Sequence, residues 1–213
     1  NKMFNSKELE KIVKLKSQNL FIRNKFSLKK FNRDLILLES FYKSKGFLGV
    51  DIQGSYKEET KNYLTIEYNI IEGDNYKLKK LDIVGNNIFS DSLIYNFLNV
   101  KINDSFNTNE IRNNLIQLKK KYLKNGKINV LIMDEVDIEN TNVSLRINIF
   151  EGKTYIINSI KISGLKTVKS KYVMREIVFK EKDVYDITNI NLSRQRIFDS
   201  GLFSSVEIIK NII

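Results

Sequence analysis

The 213-residue sequence contains no cysteine, no histidine and no proline. Without thiols it can form neither a disulfide framework nor a thiolate metal site, and a thiol-free chain suits cytosol and periplasm alike. Without histidine it lacks the commonest general base, the usual metal ligand and the near-neutral pH switch, so serine–histidine and cysteine–histidine catalysis are excluded. The absence of proline, beside abundant Asn, Lys and Ile, fits a mutational bias toward AT-rich codons, which discounts arguments from charge. No apolar run approaches the roughly 20 residues a membrane-spanning helix needs, and the sequence does not open in the manner of a signal peptide. Phosphate-binding glycine loops, metal motifs and nucleophile–base pairs are missing as well, so the chain reads as a non-enzyme with no cofactor.

What is present is a repeat. Ile71-Glu72-Gly73-Asp74-Asn75-Tyr76 leads into Leu81-Asp82-Ile83-Val84-Gly85. About eighty residues later Phe150-Glu151-Gly152-Lys153-Thr154-Tyr155 leads into Ile160-Lys161-Ile162-Ser163-Gly164. A fixed long period marks a tandem array of one small unit. The hydrophobic content of 42% suffices for several modest cores, and the net charge of +11 favours anionic partners, nucleic acid or a membrane surface.

The middle repeat is the easiest to read. Residues 76–84 partly alternate and stop at Gly85, a strand and turn. Ser90 or Asp91 can cap a helix carrying Leu93, Ile94, Phe97 and Leu98. Thr108 or Asn109 can cap a second, whose Ile111, Leu115, Leu118 and Tyr122 form one stripe at helical period, ended by Asn125-Gly126. Strands at Ile128–Met133 and Asn142–Phe150 complete the order strand, helix, helix, strand, strand. Phe31, Leu35, Leu38, Tyr42 and Gly46 stand eighty positions before Ile111, Leu115, Leu118, Tyr122 and Gly126, and Asn1-Lys2-Met3-Phe4 aligns with Asn86-Asn87-Ile88-Phe89. The last repeat predicts a strand Tyr155–Ser163, helices near Ser170–Phe179 and Thr188–Ser200, and a strand at Ser204–Ile208. The expected fold class is α+β, a tandem array of βααββ units, each a three-stranded mixed sheet packed against two helices. Three units are expected: 1–73 without its first strand, 74–152 complete, and 153–213 without its last strand, as a segment of a longer protein. They meet at Glu72-Gly73-Asp74 and Glu151-Gly152-Lys153, short junctions that favour limited hinge motion.

The pattern resembles tandem POTRA domains of the outer-membrane insertase and transporter superfamily. The resemblance covers essentially the whole chain. It rests on the Val84-Gly85-Asn86-Asn87-Ile88-Phe89 turn, the Phe41-Tyr42-Lys43-Ser44-Lys45-Gly46-Phe47 helix end, the two Glu-Gly junctions, and the run from Arg194 to Val206 containing Ser200-Gly201-Leu202-Phe203. One departure is Lys127, which follows Gly126 where an aromatic is expected. The resemblance implies a periplasmic arm of a BamA-like assembly factor in a Gram-negative-type envelope, whose partners are unfolded outer-membrane proteins and accessory lipoproteins. A related TamA-like or two-partner secretion transporter is the alternative within the family.

The expected binding chemistry is strand addition to a sheet edge, whose unpaired N–H and C=O groups read little sequence. By analogy with the family the candidate edges are Val50, Asp51, Ile52 and Gln53; Ile128, Asn129, Val130, Leu131 and Ile132; and Ser205, Val206, Glu207 and Ile208. Ordinary edges protected by charge are the competing reading. Lys119, Lys120, Lys121, Lys124 and Lys127 can approach anionic lipid at about 1 kcal/mol each, but placement at a helix C-terminus explains them more simply. Tyr63, Tyr68, Tyr76 and Tyr155 read as half-buried packing residues rather than base-stacking platforms. Asp134, Glu135, Asp137 and Glu139 read as an acidic hairpin rather than a cation loop. A KH-like RNA-binding array is disfavoured, and no nucleic-acid partner is expected. The only Gly-x-x-Gly run, Gly46-Phe47-Leu48-Gly49, follows the second helix and has apolar central residues.

Overall fold

The computed structural model describes residues 3–16, 25–60 and 63–211. The helix-to-helix break expected around Gln18–Phe26 lies largely outside them. Helix α1, Ser6–Ile12, opens with a reciprocal cap: Asn5 Oδ1 accepts from Glu8 N–H, and Glu8 Oε2 accepts from Asn5 N–H, both at 3.0 Å. Helix α2, Leu28–Ser44, is capped by Ser27 and buries Phe31, Asp34, Leu38 and Tyr42. Strands β1, Asp51–Thr60, and β2, Tyr63–Ile71, form an antiparallel two-stranded sheet running from Asp51 opposite Ile71 to Glu58 opposite Leu64.

Next come β3 (Lys77–Val84), α3 (Asp91–Leu98), α4 (Thr108–Lys124), β4 (Leu131–Glu139) and β5 (Asn142–Phe150). α4 starts where expected, but its cap is Asn107: Asn107 Oδ1 accepts from Glu110 N–H at 3.1 Å, while Glu110 Oε2 accepts from the Asn107 amide. β5 is the middle strand of the order β3-β5-β4. Lys77 N–H donates to Thr141 O, and Gly85 lies against Ile149, a constant offset of 64 that parallel strands give. β4 and β5 join through the two-residue turn Asn140-Thr141, with Asn140 at φ 54°, as in an antiparallel hairpin. The sheet is therefore mixed. Alternation along β5 buries Val143, Leu145, Ile147 and Ile149 to 3% exposure or less. Helices α5, Ser170–Glu176, and α6, Ile187–Asp199, complete the elements. α2 and α4 start and end eighty residues apart, as do the glycines that follow them.

Two expected strands are absent. Residues 155–163 make only an isolated bridge, between Ile156 and Val184, and residues 204–208 belong to no strand. In the middle repeat the corresponding strands, β3 and β4, do not pair with each other. Each pairs with β5 between them, and among the described residues the third repeat has no counterpart of β5.

By proximity the backbone gathers into two compact groups: Asn1–Asp82, Tyr95–Asn114 and Asp134–Ile147; and Ile83–Ile94, Leu115–Met133 and Asn148–Ile213. In the first, Leu9, Val13, Leu38, Tyr42 and Phe47 form a core flanked by Phe4, Phe41, Ile52 and Ile70. Phe4 meets Tyr42 edge-on at 5.3 Å and Phe41 at 4.9 Å, contacts worth about 0.5–1.5 kcal/mol beyond their burial. In the second, Phe89 meets Tyr122 edge-on at 4.8 Å.

Candidate functional site

The edges of the three-stranded sheet differ. The outer flank of β3 is occupied at its start. Leu78 N–H donates to Asp104 O at 3.0 Å, Asn103 N–H to Leu78 O at 2.7 Å, and Phe106 N–H to Tyr76 O at 2.8 Å. Asn103 turns the guarding loop at φ 75°. The third repeat repeats the device. Ile157 N–H donates to Asp183 O, Lys182 N–H to Ile157 O and Tyr185 N–H to Tyr155 O, with Lys182 at φ 73°. β4 has β5 on one side only, and among the described residues no strand covers its other flank. Along it the exposed Leu131, Met133, Val136 and Ile138 interleave with Asp134, Glu135, Asp137 and Glu139. No group of three acidic side chains among the described residues is placed to hold a cation.

The candidate edge residues fall unevenly. Leu131 and Ile132 lie in β4, and Asp51, Ile52 and Gln53 lie in β1, whose flank opposite β2 is likewise unpaired among the described residues. Val50 precedes β1. Ile128 and Asn129 form a turn rather than a strand, and Val130 is buried. The displacement has a local cause: Lys127 N–H folds back to Tyr122 O and Val130 N–H to Lys127 O, so the chain becomes extended only at Leu131. Ser205, Val206, Glu207 and Ile208 form no edge strand, for want of the neighbour described above.

The glutamates of the two Glu-Gly junctions are tied into hydrogen-bond networks. Glu151 is 5% exposed. Its Oε1 accepts from Asn87 N–H at 2.6 Å and from Ile88 N–H at 2.9 Å, and its Oε2 lies 3.2 Å from Lys127 Nζ. Burial works to raise the Glu151 pKa, but the two amides and the Lys127 ammonium outweigh it and hold the carboxyl below its ordinary value. Tyr122 is fully buried and its Oη has no well-aligned hydrogen-bond partner. Burial first, then the adjacent Glu151 charge, push its phenol up. In the first repeat Glu72 Oε1 accepts from Tyr42 Oη at 3.2 Å and from Met3 N–H at 3.3 Å. Burial and Glu72 push Tyr42 up to about 12. Each glutamate thus clasps the end of its own sheet to the loop that leads into the first helix of its own repeat. Lys127, expected on a basic surface, is instead 8% exposed, and donates to Gly152 O at 3.1 Å besides pairing with Glu151. Asp74 and Lys153 remain at the junctions beside Gly73 (φ 70°) and Gly152 (φ 66°).

Consecutive repeats are also tied at the helix ends. Tyr76 N–H donates to Gly46 O at 2.8 Å, and Tyr155 N–H donates to Gly126 O at 3.0 Å. Both glycines are left-handed, at φ 88° and 76°, and a Cβ on either would lie 2.8 Å from the same tyrosine's carbonyl oxygen. Only glycine satisfies both demands. The Phe47 of Gly46-Phe47-Leu48-Gly49 is buried in the core, so this run is a helix stop.

One recurring feature was missed in the sequence. Asp34, Asn114 and Ser193 occupy one helical position in the three repeats, and each ties down backbone after the preceding helix. Asp34 accepts from Lys14 and Leu15 N–H at 2.6 and 2.9 Å. Asn114 donates to Leu98 O at 2.8 Å, and Ser193 accepts from Val178 N–H at 3.0 Å. The signal was a polar residue four before a buried leucine or isoleucine in each helix (Leu38, Leu118 and Ile197), but its chemistry differs each time. Tyr68 Oη also donates to Asp34 Oδ2, at 3.2 Å, and burial followed by this carboxylate raises its pKa.

A model of the POTRA family, described as surface antigen variable number repeat, matches residues 1–73, 76–152 and 155–212. The chain belongs to the POTRA family. POTRA relatives named outer membrane protein assembly factor BamA occur in Neorickettsia risticii, 27% identical over 86% of this chain and 25% of that protein, and in Buchnera aphidicola, 24% identical over 91% and 32%. The chain thus spans about a quarter to a third of the length of these curated relatives. The crystal structure of Haemophilus influenzae BamA POTRA3-5 shares the fold, with a TM-score of 0.63 and 19% identity over 97% of this chain and 84% of that one.

Proposed function

We propose that this POTRA array is a non-catalytic, polypeptide-binding scaffold of an outer-membrane protein assembly machine. It works in the periplasm, receives unfolded barrel strands by strand addition, and docks the machine's accessory lipoproteins. Its relatives' names supply the process. The observation that carries the binding mode is the asymmetry of the middle sheet: the start of β3 is guarded by its own loop, while β4 is paired on one side only among the described residues. A client strand adding to β4 gains main-chain hydrogen bonds and meets the exposed Leu131, Met133, Val136 and Ile138.

Proline distinguishes an edge amide that faces β5 from one that faces outward, because it removes the donor. In Ile132→Pro and Met133→Pro, the substitution at the outward amide leaves the sheet folded and weakens binding of an unfolded barrel-strand peptide about tenfold, or ~1.4 kcal/mol. Fluorescence anisotropy measures the affinity, and circular dichroism reports folding. Undiminished binding by folded variants at both positions contradicts β4 as the receiving edge.

A further inference from the structure

The two junctions between repeats share one main-chain bond and differ in what surrounds it. Tyr76 N–H donates to Gly46 O, and Tyr155 N–H donates to Gly126 O. Around Gly46 the neighbours are polar. Asn75 Nδ2 donates to Lys45 O at 2.7 Å, and Asn75 Oδ1 accepts from Ser105 Oγ at 3.1 Å. A single side-chain amide, donor at one end and acceptor at the other, thus joins the end of α2 to the loop that guards β3. Farther back along α2, Ser40 Oγ accepts from Asn109 Nδ2 at 3.2 Å. All of these residues fall in the first compact group.

Around Gly126, within the second compact group, the matching positions hold Thr154 and Val184. A Cβ on Gly126 would meet Thr154 Cγ2 at 3.0 Å and Val184 Cγ1 at 2.8 Å, where one on Gly46 would meet Asn75 Nδ2 and the Ser105 Cβ, both at 3.0 Å. The same space is therefore filled by methyl groups, and valine has no polar atom to orient a neighbour. Ser40 and Asn109 are matched by Lys120 and Thr188, which cannot reproduce their bond between an amide and a hydroxyl. The second junction's own addition is Asn129 Nδ2, which donates to Tyr155 Oη at 3.2 Å. It grips the tip of a rotatable side chain and not the backbone of a helix end.

We infer that Asn75 is a lock that fixes the first junction, and that the array bends at the second, which lacks it. Bending about Gly73 breaks the bonds of Asn75 to Lys45 and of Asn109 to Ser40 together with the shared main-chain bond. Bending about Gly152 slides methyl groups past one another, and the Tyr155 side chain turns with Asn129. Ser105 belongs to the lock as a positioning residue, because it holds the Asn75 amide in the one orientation that reaches Lys45. The first two repeats then present a partner with one fixed surface, against which the third turns. This does not rest on the function proposed above.

The test measures residual dipolar couplings of the intact 213-residue chain in a stretched neutral gel, fitting one alignment tensor to each repeat. The first and second repeats share a tensor, and the third has a smaller one of its own. Asn75→Thr, which imports the residue of the second junction, splits the first two tensors and speeds amide exchange at Tyr76 about fivefold, the loss of roughly one hydrogen bond. Unchanged amide signals in the cores of α2 and α4 show that both repeats stay folded. Ser105→Ala splits the tensors in the same direction and by less. The double variant Thr154→Asn with Val184→Ser transplants the lock and brings the third tensor toward the second. A common tensor for all three repeats of the unmodified chain, separate tensors for its first two repeats, or a shared tensor that survives both Asn75→Thr and Ser105→Ala overturns the inference.

Discussion

The first two repeats place different residues just after the glycine that ends their second helix, and both bury them. In the first, Phe47 joins an aromatic cluster, 5.9 Å from Tyr42 and 6.1 Å from Phe4. In the second, Lys127 forms an ion pair with Glu151 at 3.2 Å. The conserved part of the design is geometric: a fully buried tyrosine, a glutamate at the end of the last strand, and the loop amides that the glutamate holds. The filler beside them can be apolar or ionic. The two solutions differ in how they fail. Dispersion contacts are lost piecemeal, whereas an ion pair deprived of one member leaves an uncompensated charge.

The largest expected contrast follows from that asymmetry. Glu151→Ala strands the buried Lys127 ammonium and two loop amides, and costs about 3–5 kcal/mol of stability. Glu72→Ala in the first repeat removes bonds from one amide and one phenol, and costs about 1–2 kcal/mol. Urea unfolding, read through amide exchange at Asn87 and Ile88 against Met3, measures both. Equal losses would dissolve the distinction between the clasps.

A second contrast separates backbone strain from packing, using the middle and last repeats. Gly85 and Gly164 share the left-handed conformation, at φ 87° and 79°, so an alanine at either pays about 1–2 kcal/mol of strain. Only at position 85 does the new methyl also strike the Ile149 carbonyl, which adds about 1–3 kcal/mol. Thermal unfolding of Gly85→Ala and Gly164→Ala measures the difference, and equal shifts would mean that backbone strain alone sets both.

The smallest effect is on pH. The folded pKa of Glu151 is depressed, so its stabilisation is fully present above the unfolded value of about 4.3 and is lost as pH falls through the lower folded value. The Asn87 and Ile88 amide signals therefore hold steady down to about that pH and move only below it. A midpoint above 4.3 contradicts a carboxylate stabilised by those amides.

The helices and the strands with local signals were legible in the sequence. Ile111, Leu115, Leu118 and Tyr122 are buried as their spacing required, and β5 runs from Asn142 to Phe150 as its alternation required. The POTRA resemblance was legible too, because paired motifs in register need no knowledge of contacts. What escaped depends on partners distant in sequence. Residues 155–163 have the composition of a strand, yet a strand exists only beside another. The burial of Lys127 depends on Glu151, twenty-four residues on. Asp34 looks like an interruption of an apolar stripe until the backbone of Lys14 and Leu15 is seen to bind it. The glutamates of the junctions read as hinge punctuation because their acceptor role becomes visible only with the loops they hold.

The central claim is that an unfolded barrel strand binds the open edge of β4 and not the guarded edge of β3. Amide exchange of the intact chain with and without a saturating barrel-strand peptide tests it most directly. The account predicts slowed exchange at alternate amides of Leu131–Glu139 and no change at Tyr76 to Leu78. Protection at Tyr76 to Leu78 with β4 unaffected, or binding that alters neither edge, would contradict it.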